Sequence, residues 1–239
     1  MNLLIHQPLG LGDILWLQPM VNVYISLGYE VYFPVSDVYY DMVSDYIEKD
    51  HLNWVRESDE FPMKKYYGSP SPEFIGNDVY LPISFSDKIL PNSGIMASKY
   101  FWLNMPIVNW HDSFNINRNY EREELLLRKY NLYDEYILVN KSFATNPIHR
   151  EIKFVEKAPV HVMNVQQDKD NGFHLFDWIG ALQSAQEIHT VETSICYLID
   201  KYCTEPSLHM YERRHEDGQR TYFNSVNLVY RNPGWIYEN

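Results

Sequence analysis

Residues 3–33 have the pattern of a complete β-α-β unit. Residues 3–5 form a short apolar strand, and residues 30–33 read as the next strand. Between the strands, apolar residues recur at helical spacing, at Ile14, Leu17, Val21, Tyr24 and Ile25. Gly28 provides the helix stop. A unit of this kind places two strands side by side in parallel, so the sequence predicts an α/β fold.

The same alternation continues to the end of the sequence. Ser36 and Asp37 can cap a helix that runs to about residue 47, and residues 58–76 have the composition of a loop. Further strands are predicted at residues 52–55, 78–81, 136–139, 160–163, 187–189, 208–211 and 226–230, and further helices at 120–130, 175–186 and 194–202. The aromatic and charged stretch 96–132 separates two groups of strands. The sequence therefore predicts two Rossmann-like domains, residues 1–115 and 116–239.

Charge and composition narrow the classes of function. The 239 residues include 20 Lys and Arg against 32 Asp and Glu, a net charge of −12 that disfavours nucleic acid as a partner. Hydrophobic residues make up 45% of the chain, as in an ordinary folded protein. The first residues lack the features of a signal peptide, and no apolar run reaches the roughly 18 residues of a membrane span. Only Cys196 and Cys203 occur, which favours a reducing compartment. Together, these features lead us to expect no integral membrane segment and a cytoplasmic location.

The turn after the first strand is the most informative stretch. Gly10, Leu11 and Gly12 lead into a helix that carries Asp13 at its start. In open α/β sheets, ligands bind at the carboxyl ends of the strands, which is where this turn is expected. The alternative is that Asp13 is only the N-cap of the helix. The dinucleotide fingerprint is incomplete, because Leu15 stands at the third glycine position.

Two segments resemble the ADP-heptose lipopolysaccharide heptosyltransferase family, which is glycosyltransferase family 9. The first is residues 11–13 with Pro19 six residues after the aspartate, and the second is residues 191–198, Val-Glu-Thr-Ser-Ile-Cys-Tyr-Leu. The second segment is similar to the family's Val-Asp-Thr-Gly-Leu-Ser-His-Leu, which binds the donor diphosphate. Ser194 and Tyr197 depart from the family's glycine and histidine.

This resemblance implies a GT-B fold, in which two Rossmann-like halves with parallel sheets face each other across a cleft. It assigns the acceptor to residues 1–115 and the nucleotide sugar to residues 116–239. It also implies that Asp13 is the catalytic base of an inverting transfer, with Gly10, Leu11 and Gly12 near the ligand. Glu192, Thr193, Ser194 and Tyr197 are the implied donor-binding residues.

The residues themselves give physical reasons for a donor site. Thr193 and Ser194 open a predicted helix, whose N-terminus attracts anions. A carboxylate repels phosphate, so Glu192 is better assigned to binding a ribose hydroxyl or to orienting the loop. The alternative is a capped core helix that buries Ile195, Leu198 and Ile199.

A further loop follows the strand at residues 136–139. This loop contains Lys141, whose ammonium is predicted to neutralise the negative charge that builds up on a departing diphosphate. His149 and Arg150 are alternatives, and the planar guanidinium of Arg150 suits phosphate oxygens.

The sequence was also compared with the motifs of metal sites and of other common classes of enzyme. The run 168–170, Asp-Lys-Asp, followed by Asn-Gly reads as a polar turn. The nine histidines show no paired zinc spacing, so no metal site is predicted. No P-loop, GxSxG elbow or kinase signature occurs. The group Trp110, His111 and Asp112 is the aromatic cluster nominated for the cleft.

The sequence therefore predicts a hexosyl- or heptosyltransferase-like enzyme. Its partners are a nucleotide-diphosphate sugar and a glycan or other hydroxyl acceptor, with no cofactor and no metal. One alternative is a non-catalytic nucleotide or sugar-nucleotide binding protein. A weaker alternative is an NAD-dependent oxidoreductase that uses the turn at residues 10–12.

Overall fold

A computed structural model describes residues 1–7, 10–83, 94–106, 110–141, 152–163, 171–211 and 229–238, without the side chains of Ile95 and Trp102. The chain divides into two compact units, unit 1 from Met1 to Asn117 and unit 2 from Arg118 to Asn239. Each unit contains one five-stranded sheet, built mainly from parallel strands. The predicted α/β class with two parallel sheets is confirmed.

Unit 1 alternates strands and helices. Its elements are β1 (Asn2–His6), α1 (Leu11–Trp16), α2 (Gln18–Ser26), β2 (Glu30–Val35), α3 (Asp37–Tyr46), β3 (Leu52–Arg56), a 3-10 turn (Lys64–Tyr66), β4 (Glu73–Ile75), β5 (Asp78–Pro82), α4 (Gly94–Trp102) and a 3-10 turn (Trp110–Asp112). The strand order is β3-β2-β1-β5-β4, and among the described strands of this unit only β4 joins the sheet antiparallel, along β5. The segment predicted as loop at 58–76 thus contains an edge strand, which Gly76 at φ 63° turns back onto β5.

The crossover between β1 and β2 differs from the single predicted helix. It is broken at Leu17, between α1 and α2. Pro19 lies in the first turn of α2, and it lacks the N–H that would continue the hydrogen bonds of α1. Gly28 ends the crossover as predicted, in the left-handed region at φ 85°.

Unit 2 repeats the alternation with a different strand order. Its elements are α5 (Tyr120–Tyr130), β6 (Ile137–Asn140), β7 (Val160–Val162), a 3-10 turn (Leu175–Trp178), α6 (Ile179–Ser184), β8 (Glu187–Val191), α7 (Ile195–Tyr202), β9 (Ser207–Tyr211) and β10 (Trp235–Glu238). The order is β10-β9-β8-β6-β7, and every pairing between the described strands of this unit is parallel. All five residues of β8 are buried, as expected for a central parallel strand.

One predicted helix of unit 2 differs in form from the prediction, and one predicted strand lies mostly outside the described residues. The segment predicted as a helix at 175–186 is helical over 175–184, as a 3-10 turn that continues directly into the shorter α6, and Asp177 accepts a hydrogen bond from the backbone N–H of His174 at its start. The strand predicted at 226–230 lies mostly outside the described residues, and Val229 and Tyr230 are not in a strand. The last strand is β10, which the sequence analysis missed.

Both sheets have a point at which the winding direction reverses. In unit 1 the chain moves from β1 outward to β2 and β3, and later returns to the other side of β1 with β5. In unit 2 it moves from β6 to β7, and then returns to the other side of β6 with β8. Ligands of open α/β sheets bind at the carboxyl ends of the strands at such switch points. No helix in the described part of the chain is both long and apolar enough to span a membrane.

Candidate functional site

Asp13 lies just beyond the carboxyl end of β1, at the switch point of unit 1. The N-cap of α1 is Gly10, in extended backbone at φ −79° and ψ −174°, and Asp13 is in the first helical turn. The alternative that Asp13 is itself the cap is therefore wrong. Neither Gly10 nor Gly12 has positive φ, so the turn does not require glycine for its backbone conformation.

The partner of Asp13 is Lys99 on α4. The Lys99 ammonium contacts Oδ1 of Asp13 and donates to Oε1 of Gln7 at 3.2 Å. The Lys99 side chain is wholly buried, whereas that of Asp13 is 15% exposed. Burial lowers the pKa of Lys99, and the nearby Asp13 carboxylate opposes that shift. The pair fixes one carboxylate oxygen and leaves Asp13 within reach of solvent.

Two hydrogen bonds position α4 for this contact. The indole Nε1 of Trp16 donates to the carbonyl oxygen of Met96 at 2.7 Å, and the Tyr100 hydroxyl donates to the carbonyl oxygen of Trp16 at 2.7 Å. Sequence analysis missed Lys99. The signal was a single charged residue, a lysine, in a mostly apolar helix, Gly94–Trp102, because a lysine is rarely buried unless it is paired.

Two further polar side chains, those of Gln7 and Tyr39, lie near Asp13 and the start of α1. The side chain of Gln7 is buried, and its Nε2 has no hydrogen-bond partner among the described residues. The Tyr39 hydroxyl lies 3.5 Å from the position a Cβ would take on Gly10. Burial raises the pKa of Tyr39, and the charge of Asp13 adds to this, so the hydroxyl stays protonated as a donor.

The switch point of unit 2 carries a second polar group. Nδ2 of Asn140, at the end of β6, donates to Oγ1 of Thr190 at 3.0 Å and to Oγ1 of Thr193 at 3.3 Å. Oδ1 of the buried Asn140 has no partner in the described part of the chain. Lys141 follows Asn140 directly and is partly exposed. Thr193 is therefore in contact with Asn140, the residue that precedes Lys141.

The start of α7 lies at the same edge. Glu192, Thr193 and Ser194 are each partly exposed, and Ser194 is the N-cap without a side-chain capping bond. The helix buries Ile195, Leu198 and Ile199, as the capped-helix alternative expects, but the Ser194 hydroxyl does not act as its cap. The first turn of a helix leaves backbone N–H groups without intrahelical partners, which favours an anion there.

Several nominated residues are placed elsewhere. Tyr197 is 3% exposed and packs edge-on against Tyr230 at a ring distance of 5.5 Å, so its predicted contact with a donor has no support from its position. Trp110 is buried and stacks on His111, so it is a core residue and not a sugar platform. Asp112 is exposed. His149, Arg150 and the turn at 168–170 lie outside the described residues.

A third cluster was not anticipated from sequence. Glu187 and His189 on β8 and His209 on β9 each place a ligand-type atom within 4.8 Å of the other two. Burial lowers the pKa of His189, and its hydrogen bond to the Glu187 carboxylate opposes this shift. The spacing rules for zinc missed the cluster because it forms only when β8 and β9 pair, with His189 opposite His209.

Comparisons with known proteins show likeness in structure and not in sequence. No family model matches the chain, and no curated protein matches it in sequence. A glycosyl transferase family 9 crystal structure from Veillonella parvula matches with a TM-score of 0.56 and 7% identity, over 99% of this chain and 85% of that one.

A second solved structure is also similar. It is the iron-containing dodecameric glycosyltransferase TibC from enterotoxigenic E. coli, with a TM-score of 0.51 and 11% identity over 100% of this chain. The chain spans 62% of the length of TibC. These likenesses confirm the predicted fold, a GT-B-like α/β architecture with two parallel-dominated sheets.

Proposed function

We propose that this protein is a glycosyltransferase that moves a sugar from a nucleotide-diphosphate donor to an acceptor hydroxyl. The observation that carries the proposal is Asp13 at the switch point of unit 1, with one carboxylate oxygen fixed by the buried Lys99. The likeness to two glycosyltransferase structures supports it. Hexosyl and heptosyl donors both fit this proposal.

Asp13 is proposed as the general base. Its Oδ1 faces Lys99, and no other described side chain bonds to its carboxylate, so Oδ2 is available to an acceptor hydroxyl. As the hydroxyl oxygen attacks the anomeric carbon, its proton passes to Asp13 and the bond to the donor phosphate oxygen breaks. A single displacement of this kind inverts the configuration at that carbon.

Unit 2 is proposed to hold the donor. Because the net charge of −12 does not attract phosphates, they must be captured by local groups. The hydroxyls of Thr193 and Ser194 and the first turn of α7 supply donors at the carboxyl end of β8. Oδ1 of Asn140 gains a partner if a ligand hydroxyl donates to it, which removes the penalty of a buried unpaired oxygen.

The remaining roles follow from charge. The ammonium of Lys141 is proposed to neutralise the departing nucleoside diphosphate, so that the transfer step needs no metal ion. Glu192 is proposed to accept a hydrogen bond from a ribose hydroxyl. Gly10, Leu11 and Gly12 are proposed to line the acceptor side beside Asp13. These assignments make the reaction inverting and metal-independent.

Calorimetric titration with UDP-, GDP-, ADP- and dTDP-linked sugars, alongside NAD and NADP, tests the proposal. We expect binding of a sugar nucleotide and, with an acceptor or water present, release of the nucleoside diphosphate. Binding without release over long incubation would favour the non-catalytic alternative. Binding of NAD or NADP alone would favour an oxidoreductase and contradict the proposal.

A further inference from the structure

We propose that Glu187, His189 and His209 bind a divalent first-row transition-metal ion within unit 2. This site is separate from the groups assigned to the donor, which lie at the carboxyl end of β8 and beyond it. Glu187 and His189 share one face of β8 because residues two apart in a strand point the same way. His209 lies directly opposite His189 on β9. The metal would therefore tie two neighbouring strands together and stabilise the sheet.

The distances suit coordination. Nε2 of His189 lies 3.2 Å from Oε2 of Glu187. In a tetrahedral zinc site with ligand distances of about 2.0–2.2 Å, neighbouring ligand atoms are roughly 3.3 Å apart. His209 offers a ring nitrogen within 4.8 Å of both atoms, and its side chain is 17% exposed. The His209 ring stacks on that of His189, with 4.4 Å between the ring centroids, and its Nε2 lies 3.2 Å from the Ser207 hydroxyl. Coordination by His209 would therefore require its ring to tilt out of this stack and Nε2 to exchange Ser207 for the ion, with a water molecule as the fourth ligand.

Each ligand is also held from behind, as metal ligands are in known sites. The Tyr211 hydroxyl lies 3.0 Å from Nδ1 of His189. The other two ligands have partners of their own: Glu238 lies 3.0 Å from Nδ1 of His209, and Lys157 donates to Oε1 of Glu187 at 3.0 Å. These contacts leave Nε2 of His189 and Oε2 of Glu187 directed at each other.

The chemistry of the donors sets the class of ion. Two imidazoles and one carboxylate suit Zn²⁺ and also Fe²⁺, whereas Ca²⁺ and Mg²⁺ prefer oxygen ligands alone. The site does not take part in the proposed transfer, and its test does not depend on activity. Either proposal can fail while the other holds.

The first experiment uses the full chain. Wild type is stripped with a chelator, and Zn²⁺ is titrated in competition with a chromophoric chelator. We expect one Zn²⁺ per chain, a rise in Tm, and tetrahedral d–d absorption bands when Co²⁺ replaces Zn²⁺. Elemental analysis of freshly purified protein then distinguishes zinc from iron as the retained ion. Absence of stoichiometric Zn²⁺ binding by wild type overturns the proposal.

Variants locate the ion. His209→Gln and Glu187→Gln should each weaken Zn²⁺ binding by more than about tenfold, the least expected for loss of a direct ligand. His51→Gln is the matched control, because His51 and Glu30 form a similar pair, 2.6 Å apart, at the surface of unit 1. Equal Zn²⁺ affinity in all three variants means that binding is adventitious and contradicts the assignment. The Zn²⁺ titration of wild type decides whether the proposal holds. A variant that fails to fold leaves that result unchanged.

Discussion

Lys99 and Asp13 form an ion pair although 86 positions separate them in the sequence. The lysine side chain is wholly buried, and the carboxylate is 15% exposed. A buried ammonium is stable in its charged form only beside a negative partner. The pair therefore links the stability of unit 1 to the position of the proposed base, because the contact that keeps Lys99 charged also sets the orientation of the Asp13 carboxylate.

This link predicts strong coupling between the two side chains. Lys99→Met and Asp13→Asn should each lower the free energy of unfolding, and the double variant should lose less than the sum of the two losses. We expect a coupling of about 0.5–3 kcal/mol, measured by urea unfolding in a double-mutant cycle. The control cycle uses Arg56→Met and Asp41→Asn, a more exposed pair, 2.6 Å apart, in the same unit. Its coupling should lie in the range of about 0.2–1 kcal/mol. Additive effects at Lys99 and Asp13 would contradict the ion pair.

Acid should destabilise unit 2 through His161. Its ring lies 4.7 Å from that of Tyr130 and 5.5 Å from that of Trp178, and burial lowers its pKa below the ordinary value of 6.5. The unfolded chain therefore binds a proton at this histidine at a higher pH than the folded chain does. The free energy of unfolding falls as pH drops through about 6.5, and it stops falling below the folded pKa.

The comparison of wild type with His161→Phe isolates this contribution. Burial also lowers the pKa values of His6 and His189, so wild type alone does not report on one residue. Between about pH 8 and pH 5, the variant should lose less stability than wild type in urea unfolding. His51→Gln should show the opposite difference, because the hydrogen bond from His51 to Glu30 raises the pKa of His51. Parallel pH curves for wild type and His161→Phe would exclude a proton-linked role for this ring.

Local signals in the sequence predicted the elements that depend on local chemistry. The helix at Tyr120–Tyr130 has the predicted bounds, since Asn119 caps its start and Asn131, at φ 55°, ends it. The first β-α-β unit was found from its apolar spacing and from Gly28. Of the strand predicted at 226–230, the described residues Val229 and Tyr230 are not in a strand, and the rest lies outside the described residues. β10 forms where Trp235 pairs in register with Leu208.

The candidate site was predictable only in part for a similar reason. Asp13 and Thr193 follow strands, and the position after a strand is visible in sequence. Lys99 acquires its significance from a contact with a residue in another element, and so does the pairing of His189 with His209. Such contacts depend on register and packing, which one sequence without its fold does not specify.

The donor site predicts a loss of binding when its polar groups are removed. Thr193→Val keeps the side-chain shape and removes the hydroxyl, and Lys141→Ala removes the ammonium. Each should weaken binding of the cognate sugar nucleotide by about 1–3 kcal/mol, as measured by calorimetry. Thr193→Ser should restore most of the affinity. Lys201→Ala is the control for charge, because Lys201 lies in the last turn of α7, away from its N-terminus. Unchanged affinity in both Thr193→Val and Lys141→Ala would mean that the diphosphate binds elsewhere in the protein.

The proposed base predicts a separation of turnover from binding. Asp13→Asn should lower kcat by about 10²–10⁴, while the affinity for the donor changes little. Asparagine keeps an oxygen that can accept from Lys99, so the orientation of the side chain is largely retained. The amide cannot take up the proton of the acceptor hydroxyl. Circular dichroism and urea unfolding show whether the variant is folded, and single-turnover kinetics separate chemistry from product release.

Asp112→Asn decides between Asp13 and the other carboxylate nominated in unit 1. Asp112 is exposed and lies in the 3-10 turn Trp110–Asp112, whereas Asp13 lies on α1 and Lys99 on α4. Asp112→Asn should retain wild-type kcat, because Asp13 is the proposed base. If Asp112→Asn loses turnover and Asp13→Asn does not, Asp13 serves only to keep Lys99 charged, and the acceptor proton passes to Asp112 or to its neighbour His111.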